Sequence, residues 1–373
     1  MAFIFSEPMT GYTTATDLAR NKWTGSPDMT YTPGTGRFSG GSVRSSFDCA
    51  FTRPAPPSND DPLYAGGSIF VHIMIKWDPG LLVSPGAEFL QLKNRTGIDI
   101  ALTLQRSPSN ALVLLDATGT VVGTSANGVL TPNTWHVLVV QAEVGATPGL
   151  VNVYVDDLIN VKLTTSSANM NLDATQYACD SITFVQSINE AGAAYDLSEI
   201  FVYDSWDVLW NSVIGDKRHI PLVPTESIDH TPYPLAFNAS GGGDPALMVD
   251  DPLSAVSDDD ATYATTLGLA ELYAYDEFVL TDLPPDTTGV IGILSVVTAK
   301  KTGAGPAPIF KHRVVPVGIV DEDGNARVID DLTVDYLDYQ AMYEQNHGLG
   351  YVTWTTDAVD TLHGGYQVGD IPV

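Results

Sequence analysis

The segment from Asn133 to Val161 constrains the fold of this chain more than any other segment. Two runs of alternating residues flank a turn rich in glycine and proline, and a period of two is that of a β-strand. The alternating sets are Trp135, Val137 and Val139 opposite His136, Leu138 and Val140, and then Val151, Val153 and Val155 opposite Asn152, Tyr154 and Asp156. The segment therefore predicts an antiparallel strand pair, half-buried in a β-sandwich.

Other short runs rich in β-branched residues recur through the first half of the chain. Clusters of Gly, Pro, Asn and Ser separate them, and no long helical period interrupts them. The runs are Ser68–Trp77, Gly97–Gln105, Ala111–Leu115, Val121–Thr124, Ser181–Gln186 and Glu199–Asp204. This spacing is typical of an all-β sandwich, so we predict a first β-sandwich domain over residues 1–205.

The character of the sequence changes after this region. Between Asp204 and Pro224 the apolar residues Trp206, Leu209 and Trp210 lie close to helical spacing, so we predict a linker or short helix over residues 206–224. A second β-rich domain is predicted for residues 225–373. Its expected strands are Leu272–Leu280, Gly289–Lys300, Ile309–Val320 and Arg327–Ile329, with helical turns at Tyr339–Gln345 and Thr355–Leu362.

The length and the charge of the chain limit the classes of function that it can have. The 373 residues suffice for two cores, and 45 acidic against 17 basic side chains give a formal charge of -28 and a pI near 4.2. Such a surface repels a phosphate backbone, so nucleic-acid binding is not expected.

The N-terminal MAFIFSEPMT lacks the basic region of a signal peptide, and no apolar run reaches the roughly 20 residues of a membrane span. We expect a protein made in the cytoplasm and not inserted in a membrane.

No catalytic constellation is found in the sequence. The E-x-D-x-x-E run of concanavalin-like glycoside hydrolases, the G-x-S-x-G elbow and the H-E-x-x-H zinc motif are all missing. The distant Cys49 and Cys179 predict buried free thiols, or a single disulfide if their strands are neighbours. Glu199, with Asp196 and Asp204 nearby, is interpreted as a set of solvated strand-end carboxylates. We therefore predict a protein that is not an enzyme, with no catalytic and no cofactor-binding residue.

Two groups of residues are left open as candidate binding sites. Asp250–Asp251 and Ser257–Asp260 carry enough carboxylates for a calcium ion, although their spacing is not that of an EF-hand, so metal binding is undecided. Exposed aromatic rings stack on sugars, and four aromatic residues in predicted loops could do so or could anchor those loops to the core. They are Trp23, Tyr31, Tyr64 and Tyr195.

Several segments, in chain order, resemble laminin G-like structural proteins of tailed bacteriophages. The hairpin of Asn133–Val161 is similar to the "vyvDg" hairpin of concanavalin A-like domains, with Asp156-Asp157 in place of Asp-Gly. The other segments are GYTTATDLARNKWTG with TGRFSGGSVR (Gly11–Arg44), WNSVIGDKRHIPLVP (Trp210–Pro224) with DDDATYATT, and WTTDAVDTLHGGYQVG (Trp354–Gly369).

This resemblance implies a concanavalin A-like jelly-roll sandwich, followed by a second β-rich sandwich domain with short helices. It also implies a virion component, either tail-associated, a fibre or a capsid decoration protein, whose partners are other virion proteins and further copies of itself. Contact with host-surface glycans is expected from the fold. The alternatives are a glycan-binding lectin module, calcium-dependent or not, and a polysaccharide depolymerase.

Overall fold

The structure is a computed structural model of the full chain. The residues that it describes are 3–7, 9, 23–25, 30–38, 41–45, 50–54, 68–80, 86–94, 100–143, 149–157, 159–168, 179–185, 194–203, 219–228, 238–239, 264–265, 274–300, 310–316, 327–329, 337–343 and 354–368. The chain divides into two compact units, Met1–His219 and Ile220–Val373.

The first unit consists of antiparallel strands. They are β1 (Phe3–Glu7), β2 (Thr24–Gly25), β3 (Thr30–Thr32), β4 (Ser42–Ser45), β5 (Ala50–Pro54), β6 (Ser68–Trp77), β7 (Ala87–Asn94), β8 (Ile100–Arg106), β9 (Leu112–Asp116), β10 (Val121–Thr124), β11 (Trp135–Glu143), β12 (Gly149–Val155), β13 (Leu163–Ala168), β14 (Cys179–Val185) and β15 (Tyr195–Tyr203). Sheet A has the order β13-β12-β11-β6-β15-β4-β3, with β1 beside β15, and sheet B has the order β10-β9-β8-β7-β14-β5-β2.

The two sheets repeat one pairing pattern. In sheet A, β15 lies between β4 and β6, and in sheet B the preceding strand β14 lies between β5 and β7. The chain therefore crosses between the sheets from β4 to β5, from β6 to β7 and from β14 to β15, as in a jelly roll. The jelly-roll sandwich expected from the sequence is confirmed.

The hairpin predicted from residues 133–161 is confirmed, with Leu138 opposite Val155 and Val140 opposite Val153. The prediction that it is half-buried is wrong, because both faces of sheet A are covered at this point. Leu138 and Val140 belong to the core between the sheets, whereas Val137 belongs to a second apolar cluster on the outer face of sheet A. The members of that cluster are Met74, Val137, Val139 and Tyr154, with Phe38 and Trp135 packed against them.

The second unit is also β-rich. Its elements are β16 (Pro224–Ser227), β17 (Asn238–Ala239), β18 (Ala264–Thr265), β19 (Ala274–Leu280), β20 (Ile293–Ala299), β21 (Phe310–Pro316), β22 (Arg327–Ile329), β23 (Leu337–Tyr343), helix α1 (Thr356–Asp360) and β24 (Leu362–Val368). One sheet has the order β16-β19-β24-β21-β22, and β17-β18 and β20-β23 form separate pairs. Val314, Tyr343, Trp354, Val359 and Leu362 form its core.

Two helical expectations for this unit have opposite outcomes. The turn predicted at Thr355–Leu362 is confirmed as α1, which begins after Thr355, whose side chain accepts a hydrogen bond from the Ala358 amide at 3.1 Å. The turn predicted at Tyr339–Gln345 is wrong, because β23 pairs along its whole length with β20. The run LDYQAMY alternates with a period of two and carries tyrosines that favour strands.

The predicted helix of residues 206–224 falls largely outside the described residues. Of its range, residues 219–223 are in neither helix nor strand, and Pro224 begins β16. Among the residues that the structure describes, no helix is long and apolar enough to cross a membrane.

Candidate functional site

The outer face of sheet A carries a row of charged and aromatic side chains across four strands. Asp196 of β15 lies opposite Arg44 of β4 on one side and Lys76 of β6 on the other. Lys76 in turn lies opposite Trp135, the first residue of β11. Because side chains alternate along each strand, these four residues share one face of the sheet.

Ion pairs join the charged members of this row. Asp196 accepts from Arg44 Nη1 through Oδ1 and from Lys76 Nζ through Oδ2, each at 3.1 Å. Arg44 also pairs with Asp78 just beyond the end of β6. Burial opposes the charge of Arg44, but the neighbouring Asp196 and Asp78 outweigh it and raise the pKa of the guanidinium. The row is thus a fixed ionic network and not a set of independent surface charges.

Trp135 is the last residue of the row, and it is partly exposed. The Lys76 ammonium lies 5.0 Å from the centroid of the ring, within the range of a cation–π contact. Trp23, Trp77 and Trp354 are at most 3% exposed, whereas Trp135 is partly exposed. Among the tryptophans whose burial the structure describes, Trp135 alone is not buried.

Phe38 and Trp135 both pack against the cluster that contains Tyr154, and we call Phe38, Arg44, Lys76, Trp135, Tyr154 and Asp196 together the Trp135 patch. Phe38 belongs to the turn between β3 and β4 and packs on the cluster that contains Tyr154. The guanidinium of Arg37 lies 5.3 Å from the centroid of the Phe38 ring. This turn therefore brings an aromatic and a cationic side chain over the sheet face.

Asp156 fixes the hairpin end beside the patch. Its carboxylate accepts from His136 Nδ1 at 2.5 Å and from the Val137 amide at 2.8 Å. Burial opposes its ionisation, but these hydrogen bonds, helped by the charge of Arg37, prevail and lower the pKa of Asp156. Asp156 has φ +56°, the left-handed conformation that Asp and Asn tolerate best among residues with a side chain.

Further along the same face, hydrogen-bonding side chains replace the aromatic ones. Asn152 donates to Gln141 Oε1 at 3.0 Å and accepts from Thr164 Oγ1 at 2.7 Å. Thr164 is exposed, and Asn152 and Gln141 are partly so. Gln141 is six positions along β11 from Trp135, about 20 Å away, so these amide and hydroxyl groups form a polar region of the face that is separate from the Trp135 ring.

Of the four aromatic residues considered from the sequence as sugar platforms, two are buried and cannot form one. Trp23 and Tyr195 are buried, at 2% and 0% exposure, and Tyr195 lies within β15 and not in a loop. Tyr31 is partly buried and donates to the Met9 carbonyl at 2.8 Å. Anchoring to the core is thus the correct interpretation for Trp23 and Tyr195, while Tyr64 lies outside the described residues.

The interpretation of Glu199 and Asp196 as solvated carboxylates is wrong. Glu199 is 1% exposed and pairs with His219 Nδ1, and Asp196 is 7% exposed within the ionic row. A register shift between Ser198 and Ile200 turns Glu199 to φ +44°, and the His219 ring stacks on Phe201 at 4.6 Å. Alternation alone could not reveal this bulge. Asp204 lies outside the described residues.

The candidate calcium ligands, Asp250–Asp251 and Ser257–Asp260, lie outside the described residues. Within the part that is described, no group of three or more His, Cys, Asp or Glu side chains could hold a metal ion.

The second unit contains a buried Ser–His pair. Ser295 Oγ and His312 Nδ1 are 2.9 Å apart, and His312 is 1% exposed. Burial lowers the pKa of His312 to about 3, so the imidazole is a weak base near neutrality. A general base works best with a pKa near the working pH, so this pair is poorly suited to activating the serine.

Comparisons with known proteins find similar folds among solved structures but do not find a family to which the chain belongs. No protein-family model matches the chain, and no curated protein matches it significantly. Among solved structures, it is similar to the carbohydrate recognition domain of Emp46p, with 9% identity, a TM-score of 0.38, and coverage of 56% of this chain and 100% of that one.

Two further similar structures carry enzyme names. The catalytic domain of a glycoside hydrolase family 131 protein from Coprinopsis cinerea has 15% identity, a TM-score of 0.36, and coverage of 55% of this chain and 95% of that one. The carbohydrate esterase of the Shiga toxin-encoding bacteriophage phi24B has 13% identity, a TM-score of 0.34, and coverage of 54% and 97%. Likenesses this distant do not decide what this chain does.

Proposed function

We propose that this chain is a non-enzymatic structural protein of a tailed-bacteriophage virion, and that it binds host-surface saccharides through the Trp135 patch. The observation that carries the binding proposal is the partly exposed Trp135 ring beside Lys76 and Asp196. An indole presents a flat apolar surface on which the C–H face of a pyranose can stack. The Lys76 ammonium offers donors to its hydroxyl groups, while Asp196, which is 7% exposed and paired through both oxygens, holds that ammonium in place.

Preorganisation supports this use of the patch. Asp196 and Lys76 are held by ion pairs with defined partners, and all members except Phe38 lie on strands of one sheet. A ligand then has few side chains left to order, which reduces the entropic cost of binding.

The assignment to a virion rests on the ordered resemblance of Gly11–Arg44, Trp210–Pro224 and Trp354–Gly369 to phage structural proteins. The acidic character of the chain, with a formal charge of -28, favours partners other than nucleic acid. Mass spectrometry and cryo-electron microscopy of purified virions test the assignment. The polypeptide is expected in the particle, on the tail or on the capsid, and its absence from the particle contradicts the assignment.

The binding proposal is tested on a glycan array that includes host lipopolysaccharide and capsule. Wild-type protein is expected to bind a subset of saccharides, and Trp135→Ala to lose about 1 to 3 kcal/mol of binding, as expected when a stacking ring is removed. Val121→Ala, which shortens an exposed apolar side chain of sheet B, is the matched control. Circular dichroism checks that both variants are folded, and Asp196→Asn provides a second variant.

A free lectin module and a polysaccharide depolymerase are the alternatives. A free lectin is also expected to bind saccharides on the array, but it is absent from purified virions. The glycan array and the virion analysis together therefore distinguish it from the leading proposal. A depolymerase needs two carboxyl groups across a bound sugar. Release of reducing sugar from host polysaccharide would support it and would contradict the non-enzymatic proposal.

A further inference from the structure

The charged groups of the Trp135 patch differ in how far they are exposed. The carboxylate of Asp196 uses both oxygens, one for Arg44 and one for Lys76, and its side chain is only 10% exposed. The side chains of Lys76 and Arg44 are 24% and 34% exposed, so both cations are more accessible than the carboxylate that lies between them. A ligand at the patch therefore meets N–H donors more readily than carboxylate oxygens.

Both cations retain donor capacity. Within the described residues, the Lys76 ammonium makes its polar contact with Asp196 alone, although an ammonium has three N–H groups. Arg44 donates through Nη1 to Asp196 and through Nη2 to Asp78, although a guanidinium has five N–H groups. Hydrogen bonds from a cation to an anionic acceptor are stronger than those to a neutral one. The remaining N–H groups therefore favour a ligand that carries a negative charge.

Lys76 is the cation placed beside the ring. Its Nζ lies 5.0 Å from the centroid of the Trp135 ring, and its strand β6 is the neighbour of β11. Arg44 lies two strands further away, on the other side of β15. A pyranose stacked on the exposed part of the ring brings its substituents next to the Lys76 ammonium, so Lys76 is the residue that reads their charge.

We propose that the saccharide bound by the Trp135 patch is acidic, and that its carboxylate or phosphate group pairs with Lys76 while its pyranose ring stacks on Trp135. This inference rests on the proposed saccharide binding and adds the class of saccharide and the residue that selects it. Asp196 holds the Lys76 ammonium in place, so little side-chain freedom is lost when the anion binds. A neutral saccharide stacks on the same ring but offers the ammonium only hydroxyl groups.

The local charge balance admits an anionic ligand although the chain is acidic. Within the patch, Arg44 and Lys76 face the single carboxylate of Asp196, and beside it the positive charge of Arg37 acts on Asp156. In the whole chain, by contrast, 45 acidic side chains stand against 17 basic ones. Exposed charges more than about 8 Å apart are largely screened at physiological ionic strength, so the nearby cations outweigh the distant carboxylates.

A matched pair of saccharides tests the proposal. The glycan array identifies the saccharide that the full chain binds most tightly, and its anionic group is then removed, by reduction of a carboxylate to an alcohol or by dephosphorylation. Isothermal titration calorimetry compares the intact and the uncharged saccharide. Wild-type protein is expected to bind the intact form at least about tenfold more tightly, as a charge-assisted hydrogen bond predicts. The treatment that weakens binding identifies the anionic group.

Three variants assign this preference to Lys76. Lys76→Met removes the charge, keeps an apolar side chain over the ring and is expected to abolish the preference for the intact form. Lys76→Arg keeps a cation and is expected to retain it. Lys162→Met is the matched control, because Lys162 precedes β13, which β12 separates from β11, and it too is expected to retain the preference. Circular dichroism checks that all three variants are folded.

The possible failures are distinguishable. A wild-type protein that binds the uncharged form as tightly, or whose tightest array saccharide is neutral, overturns this inference but leaves saccharide binding at the patch in place if Trp135→Ala still weakens it. A preference for the intact form that Lys76→Met does not change overturns the role of Lys76. Binding to no saccharide at all overturns the proposed function and this inference with it.

Discussion

The Lys76 ammonium lies 5.0 Å from the centroid of the Trp135 ring while its nitrogen is 3.1 Å from Asp196 Oδ2. One side chain thus joins the accessible ring to the ionic row that crosses sheet A. The register of β11 on β6 and of β6 on β15 places all three residues in line. The position of the ring is therefore fixed by strand pairing before any ligand arrives.

A double-mutant cycle measures this link. Lys76→Met and Trp135→Leu each remove one partner and keep an apolar side chain, and the coupling free energy between them is expected to be about 0.5 to 1 kcal/mol. Urea unfolding of the four proteins gives the value. A cycle with Lys162→Met in place of Lys76→Met is the control and is expected to give no coupling.

Asp156 is expected to stabilise the hairpin through its carboxylate. Asp156→Asn weakens the hydrogen bonds from His136 and the Val137 amide and is expected to cost about 1 to 2 kcal/mol of unfolding free energy at neutral pH, since the carboxylate is half-exposed. Asp157→Asn, at the next position, is expected to cost less, because among the described residues the carboxylate of Asp157 accepts only from Ile159 and Asn160 in its own turn and does not join two strands. Equal losses for the two variants would contradict this role.

The contribution of Asp156 also depends on pH. Its pKa is lowered in the folded protein, so its contribution is complete above the unfolded value of about 3.9 and is lost as pH falls through the folded pKa. The stability difference between wild type and Asp156→Asn should therefore shrink in acid. Urea titrations from neutral pH down to about pH 3 measure it. A difference that grows in acid would contradict the prediction.

His312 is expected to make the second unit acid-sensitive in a different window. Its folded pKa of about 3 lies below the unfolded value of about 6.5, so the unfolded state binds the proton more tightly. Stability should therefore fall as pH drops from about 6.5 towards 3, with a limiting slope of about 1.4 kcal/mol per pH unit.

The variant His312→Asn tests the origin of that slope. Asparagine can keep a hydrogen bond with Ser295 but does not titrate, so the acid sensitivity should flatten. His363→Asn is the comparison: burial lowers the pKa of His363 as well, but this side chain is partly exposed and near Glu277, so removing it should flatten the slope less than His312→Asn does. If His312→Asn leaves the slope unchanged, another group is responsible.

Glu199 offers a test of backbone strain. Its φ of +44° is unfavourable for alanine and accessible to glycine, so Glu199→Gly should be more stable than Glu199→Ala by about 1 kcal/mol. Both variants lose the contact with His219, so the difference in their stability reports the backbone conformation at position 199 alone. Within a regular strand the order is reversed, so an alanine variant that is the more stable would contradict the bulge.

The sequence predicts the regular strands well where alternation is clean. The bounds predicted for β6, β10 and β22 agree with the structure, and the pairing of β11 with β12 follows from their periods. The strand β7 was not predicted, since Glu88, Gln91 and Lys93 interrupt its apolar pattern and its pairing with β8 shifts register twice. Period alone does not reveal irregular pairing.

The candidate site could not be predicted in the same way. Trp135 was identified in the sequence as a strand residue, but its exposure depends on strands whose order the sequence does not give. Arg44 and Asp196 are 152 positions apart, and only the placement of β15 beside β4 brings them together. Trp23 and Tyr195, conversely, are enclosed by both sheets in a way that local sequence does not encode.

The most direct measurement is a titration of the full chain with the best array saccharide, followed through the tryptophan indole N–H signals by nuclear magnetic resonance. The Trp135 signal, assigned with Trp135→Phe, is expected to shift with saturation, while that of Trp77, which is 1% exposed, stays in place. A saccharide that binds and leaves the Trp135 signal unmoved would contradict binding at the Trp135 patch.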